Sequence, residues 1–300
     1  MEYHIPVLLE NCIEGLDIKS NGIYVDVTFG GGGHSREIIK KIDKGLLVGV
    51  DQDADAEVNT SEFDDKKFKF ISTNFRYLKR YLGMKGIEKI DGLLADLGIS
   101  SHQIDKPERG FSTRFDARLD MRMDQGQELT AEKIINTYSR DQLQRLLGTY
   151  GEVRNARTLA ENIIRERIKT PVKTTGELTG ILKKFVPANK QNKYFAQVFQ
   201  ALRIEVNDEM GALKEMLVQS ADLLKSGGRL VIMSYHSLED RLVKNFINTG
   251  DLGGNEVKDF YGNSKRPLNP LNRKPIKATE AEIRRNPRAR SARLRIAEKI

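Results

Sequence analysis

Through the first hundred residues, short β-branched and apolar runs alternate with stretches of helical periodicity. Residues 22–27, 45–51, 68–71 and 90–96 read as four strands, and Ser35 to Ile42 as a helix between the first two. Strands separated by helix-length connections favour a parallel sheet wrapped by helices. After Asp96 the rhythm breaks. Residues 106–126 are polar and contain glycine, which predicts a long functional loop. From Thr130 to Ala188 the pattern is helical throughout. Two capping boxes start helices there, Ser139 with Gln142 and Thr174 with Glu177, while Gly151 and Pro187 act as stops. The α/β pattern then returns. Val206 to Leu224 reads as an amphipathic helix ending at Lys225-Ser-Gly-Gly228, Arg229 to Ser234 as a fifth strand, and Ser237 as the hydroxyl cap of another helix. Residues 249–290 are largely irregular, and 292–297 alternate as a last strand would. The expected architecture is α/β: a Rossmann-like domain of residues 1–105 and 206–300, carrying an inserted loop and all-helical domain at 106–205.

With 300 residues, 39% hydrophobic and 31% charged, the chain is long enough for a large core. It has no apolar run of the roughly 18 residues a membrane span needs. Met1 to Pro6 lacks a basic segment leading into an apolar one, so no secretory signal is expected. Cys12 is the one cysteine and cannot pair within the chain, which points to a reducing, cytoplasmic setting. Its apolar neighbours make it a small buried hydrophobe rather than a nucleophile. Four histidines and one cysteine, widely spaced, offer no closed ligand set, so no metal is expected. The net charge of +8 is concentrated: residues 261–300 hold twelve Lys/Arg against three Asp/Glu. Such a strip suits a polyanion, since each neutralised phosphate releases counterions; a solvated basic tail is the plainer alternative.

The strongest local signal is Val25-Asp-Val-Thr-Phe-Gly-Gly-Gly-Gly-His-Ser35, where a strand ends, four glycines follow and a helix begins. Glycines let the backbone turn sharply and approach a ligand closely. Asp51 stands at the end of the second strand, where an acid accepts hydrogen bonds from ribose hydroxyls. A dehydrogenase fingerprint would need a third glycine where Ser35 stands, and a P-loop would need Gly-Lys-Ser/Thr. An Asp before the glycines fits a ligand without a pyrophosphate, such as S-adenosylmethionine; a glycine turn with no ligand is the plain alternative. Asp96, opening Asp96-Leu-Gly-Ile-Ser-Ser101, follows the fourth strand and is placed to face cofactor and substrate, or else simply to make a turn.

These residues, with others in order along the chain, resemble the bacterial small-subunit ribosomal RNA methyltransferase H (MraW) family. The matching stretches are His4-Ile-Pro-Val-Leu-Leu-Glu10, Thr28-Phe-Gly-Gly-Gly-Gly-His-Ser35, Asp96 to Asp105, Arg109-Gly-Phe-Ser112, Leu119 to Asp124 and Tyr150-Gly-Glu152. Phe199 to Asn207, His236 to Arg241 and Asn286 to Ala292 complete them. The resemblance implies a class I methyltransferase fold and N4-methylation of a cytidine in the decoding region of 16S rRNA, in the small ribosomal subunit. It implies S-adenosylmethionine as cofactor, contacted by Gly32, Gly33, His34, Asp51, Phe75, Asp96 and Gln103. Two departures stand out. The family usually has a His-Pro-Ala-Thr-Arg-like segment where this chain reads Lys193 to Val198, so RNA contacts there stay open. Its usual Ser-Phe-His-Ser is Ser234-Tyr-His-Ser237 here.

Methyl transfer to a cytosine amine needs an acceptor for the amine hydrogens, and Asp96 is the candidate. The Asp/Asn-Pro-Pro-Tyr segment of DNA amino-methyltransferases is absent, which disfavours that rival and leaves the stacking aromatic unassigned. The target base must be unpaired or flipped out. The loop with Arg109, Arg114, Arg118 and Arg122 can close over it, two of the four at most. His236 lies at the ligand edge, and Arg288, Arg290, Arg293 and Arg295 are candidates for phosphate contact. A ribosome-assembly factor that binds the cofactor only to order its fold is the rival from another class. The oligomeric state is left open.

Overall fold

The computed structural model describes residues 6–256, 258, 262 and 266–300; His4 and Ile5 of the first matching stretch, and Tyr261 and Lys265 of the basic strip, lie outside them. The strands are β1 (Ile23–Asp26), β2 (Leu46–Asp51), β3 (Phe68–Ser72), β4 (Ile90–Asp96), β5 (Leu224–Ser234), β6 (Leu268–Pro270) and β7 (Arg293–Lys299). They form one sheet in the order β3-β2-β1-β4-β5-β7-β6. The first five run parallel, and β7 lies antiparallel to both β5 and β6. This is the Rossmann-like sheet of the class I methyltransferases. Strand order reverses between β1 and β4, and in open α/β sheets that switch point opens the ligand crevice at the strands' carboxyl ends. The central strand β4 carries buried apolar residues on both faces because both are covered: Ile90, Leu93, Leu94 and Ala95 are all fully buried.

The helices are α1 (Leu9–Gly15), α2 (Gly33–Lys41), α3 (Leu78–Met84), α4 (Ser101–Asp105), α5 (Ala131–Thr137), α6 (Arg140–Thr149), α7 (Ala156–Lys169), α8 (Thr175–Leu182), α9 (Gln191–Asn207), α10 (Glu209–Leu223), α11 (Ser237–Thr249) and α12 (Glu280–Arg285). Both expected capping boxes form, at the starts of α6 and α8. Three local expectations change. The helix expected from Val206 to Leu224 is broken, because Asp208 takes a left-handed φ of 45° and ends α9 before α10 starts. Strand β5 begins at Leu224, and Lys225 to Gly228 form an irregularity in its pairing with β4 rather than a simple helix stop. Finally, α11 is capped by the His236 side chain, not by the Ser237 hydroxyl.

The chain divides into two compact units, residues 1–98 with 211–300, and residues 99–210. The helical unit thus begins at Ile99 rather than Lys106 and ends at Met210 rather than Glu205. Sequence rhythm missed this because Ile99 belongs to the apolar packing of the helical core, and Val206, still within α9, is buried in it. In the sheet unit the core gathers Cys12, Tyr24, Phe29, Ile38, Leu94, Val231 and Leu294. No helix among the described residues is long and apolar enough to cross a membrane.

Candidate functional site

At the end of β1 the chain enters the glycine turn. Asp26 is buried there: it accepts from the Ser35 hydroxyl at 2.7 Å and from the Thr28 N–H at 3.2 Å, tying the turn to α2. Gly32 has φ +72° and caps α2, a conformation that a residue with a Cβ adopts only under strain. At Gly31 a side chain would meet nothing within 4 Å, so the turn opens onto free space. Gly33 lies against Pro6, whose Cγ would be 2.4 Å from a Cβ at that position.

Carboxylates stand around this opening. Asp51 ends β2, its two oxygens accepting from the Gly30 N–H at 2.8 Å and the Asp53 N–H at 2.9 Å. Burial raises its pKa to about 6 against the pull of those two N–H donors. Asp96 ends β4. Its own N–H donates to the Thr28 hydroxyl at 2.7 Å, and its Oδ1 accepts from the Tyr235 hydroxyl at 2.7 Å. Burial raises Asp96 to about 6 as well, opposed by nearby His34 and by the Tyr235 hydrogen bond. His34, in the first turn of α2, places Nε2 3.2 Å from the Val7 carbonyl and Nδ1 4.0 Å from Asp96 Oδ2. Phe75 follows β3, half-buried, in a short turn capped by Asn74. An anionic rim of this kind repels a pyrophosphate and suits a ligand carrying positive charge.

Gln103 belongs to the helical unit. It is buried, and its side-chain oxygen accepts from the Ser100 N–H at 3.1 Å in a capping box on α4. That box was legible as Ser100-x-x-Gln103 but was passed over for the flanking motif.

The basic candidates separate into two classes. Arg109 is buried, 5% exposed, and donates to the carbonyls of Arg122 and Met123 at 3.0 and 3.1 Å. In this structure it is a clip inside the loop. Arg122 is likewise engaged, bidentate on Asp120 and bonded to the carbonyls of Gln125 and Gln127. Arg118 pairs with Glu132, while Arg114 is exposed. His236 uses Nδ1 to cap α11, and Glu239 returns the favour by accepting from the His236 and Tyr235 N–H groups. Its Nε2 lies 3.1 Å from Glu239 Oε1 without hydrogen-bond geometry. The ring is a helix cap in this structure. Arg295 is buried against Asp240 at 2.7 Å, and Arg293 shares that carboxylate at 3.0 Å, so both belong to the seam between β7 and α11. Both arginines hold Asp240 below the ordinary carboxylate range despite its burial. Arg288 is half-buried and Arg290 exposed. Tyr235 is the residue that sequence reasoning passed over. Its one signal was a hydroxyl at the position after β5 where the resembling family usually has phenylalanine.

A family model described as the MraW methylase family matches residues 1–300. The chain is 58% identical over 297 residues to a protein of Cytophaga hutchinsonii named ribosomal RNA small subunit methyltransferase H, covering 99% of each chain. It is 54% identical over 301 residues to the protein of the same name from Flavobacterium johnsoniae, covering 100% of this chain and 99% of that one. Among solved structures, an rRNA methylase from Streptococcus thermophilus aligns with a TM-score of 0.43 at 12% identity, over 100% of this chain and 99% of that one.

Proposed function

The chain belongs to the MraW methylase family, and we propose that it methylates N4 of a cytidine in the decoding region of 16S rRNA. The methyl donor is S-adenosylmethionine, which supplies an electrophilic methyl group carried on a sulfonium. Gly32, Gly33, His34, Asp51, Phe75 and Asp96 would hold it, with Gln103 carried over from the family resemblance. The open space over Gly31 and the acidic rim fit that cation. Asp51 suits the ribose hydroxyls, and the half-buried Phe75 ring offers an apolar face to the adenine.

The exocyclic amine of cytosine is a weak nucleophile because its lone pair is delocalised into the ring. A carboxylate that accepts the amine hydrogens favours a rehybridised nitrogen with its lone pair aimed along the methyl–sulfur axis. The proton that the alkylated nitrogen sheds needs an acceptor, and a carboxyl group raised to about 6 takes it more readily than an ordinary aspartate. The observation that carries this reading is Asp96 itself. It closes β4 at the switch point, with Oδ1 held by Tyr235 and no hydrogen bond on Oδ2 among the described residues. The names of the Cytophaga and Flavobacterium relatives support an rRNA substrate. The helical unit and the exposed C-terminal arginines, Arg290 foremost, are assigned to RNA recognition. A single basic strip is a modest surface, which favours the assembled small subunit over naked rRNA.

The test incubates the protein with radiolabelled S-adenosylmethionine and small subunits lacking this methylation, then identifies the labelled nucleoside after digestion. Label in N4-methylcytidine is expected. Label in another nucleoside refutes the position. Cofactor binding with no label in RNA or subunit makes the chain an assembly factor.

A further inference from the structure

We propose that Tyr235 is a positioning residue for methyl transfer, its hydroxyl holding Asp96 so that Oδ2 alone is presented to the substrate amine. The inference rests on the acceptor role proposed for Asp96.

The hydroxyl donates to Oδ1 at 2.7 Å. The tyrosine is in turn fixed from its backbone, its N–H donating to Glu239 Oε2 at 2.9 Å. Opposite the ring, the chain leaves β4 through Gly98 at φ +104°, and a Cβ there would stand 3.5 Å from the ring edge. Burial and the charge of Asp96 push the phenol well above its ordinary range, so it remains a donor wherever the enzyme works. The groups facing Asp96 are His34 on α2, Asp26 at the end of β1, Tyr235 after β5 and Glu239 on α11; Cys12 on α1 also faces Tyr235. None duplicates the phenol. Asp26 and Glu239 repel the carboxylate. The Val7 carbonyl can only accept, so His34 carries a proton on Nε2 that points away from Asp96, and its Nδ1 stands 4.0 Å from Oδ2, beyond hydrogen-bond reach. Among the described residues, Tyr235 is thus the side chain that donates to Asp96. A free carboxylate rotates between equivalent oxygens, whereas one pinned at Oδ1 presents Oδ2 in a fixed place.

The experiment compares Tyr235→Phe and Asp96→Asn with the parent, as full chains methylating small subunits from pH 5 to 8, with thermal unfolding alongside. For Tyr235→Phe, kcat should fall about tenfold, within the worth of a hydrogen bond to a charged group. The KM for S-adenosylmethionine and the melting temperature should stay near the parent's. The acidic limb of kcat should move to higher pH, because the carboxyl group loses a bond that favours its charged form. Parent-like kcat and an unmoved limb overturn the proposal, as does a lowered melting temperature with parent-like kcat, which makes Tyr235 a packing residue. If Asp96→Asn is inactive while Tyr235→Phe behaves as the parent, only the positioning role falls. If Asp96→Asn turns over normally, the acceptor role falls and the positioning role with it.

Discussion

Asp96 at the end of β4 and Arg109 in the loop beyond it are both charged, both close to a matching motif, and both plausible on sequence as functional residues. The structure treats them oppositely. Arg109 spends its guanidinium on two carbonyls of its own loop, and Asn207 reinforces the same loop by accepting from the Met123 N–H at 2.7 Å and donating to the Met121 carbonyl at 2.8 Å. Asp96 is held through one oxygen and keeps the other. The difference lies in where the partners of each charge stand, which composition does not reveal. A buried charge committed to the carbonyls of its own loop is architecture; one held through a single oxygen, on a ligand edge, is available for chemistry.

The sharpest way to break this contrast is Asp96→Asn. Loss of a carboxylate acceptor should lower kcat at least 10²-fold with the cofactor saturating, beyond any weakening of cofactor binding seen by calorimetry; normal turnover removes Asp96 from the chemistry. Next comes Arg109→Met, which leaves two buried carbonyls without their donor. Urea unfolding should show a loss of about 2–3 kcal/mol, while subunit binding by folded protein stays unchanged. Unaltered stability with lost binding would return Arg109 to the RNA interface. A smaller effect concerns pH. Asp51 and Asp96 sit near 6 when folded, above the 3.8 of a free aspartate. Between those values the folded state binds more protons, so their contribution makes the ligand-free protein more stable as pH falls from 7 towards 4. Asp51→Asn removes the titrating group and also, because an amide has a single acceptor oxygen, one of its two backbone N–H partners; it should flatten that pH dependence in urea unfolding and weaken cofactor binding. An unchanged pH dependence would contradict the burial of its charge. The smallest effect belongs to Arg290→Ala. Removing one exposed cation should leave the melting temperature unchanged and reduce the slope of log affinity against log salt by about 1; an unchanged slope takes Arg290 off the RNA.

Much of the fold was legible because the central strands are mostly apolar and the glycine turn has few alternative meanings. The ends of β4 fell where expected. The capping boxes of α6 and α8 were equally readable, since each is a local pattern complete within four residues. What stayed hidden depends on partners remote in sequence. Nothing near Arg293 or Arg295 announces Asp240, and Asn207 gives no sign that it holds Met121 and Met123. The same holds for the site: Asp51 and Asp96 follow from position at strand ends, whereas the Tyr235 bond joins residues that only the sheet brings together.

One feature of the sheet bears on how the protein is made. Strand β7 comes last of the seven in sequence, yet it lies between β5 and β6. A nascent chain interrupted before Arg293 presents the apolar β5 as an open edge, a template for pairing with other chains. It also leaves Asp240 without either of its arginines. The most basic part of the molecule is therefore also its keystone: premature termination would yield an aggregating product, not a shortened folded one.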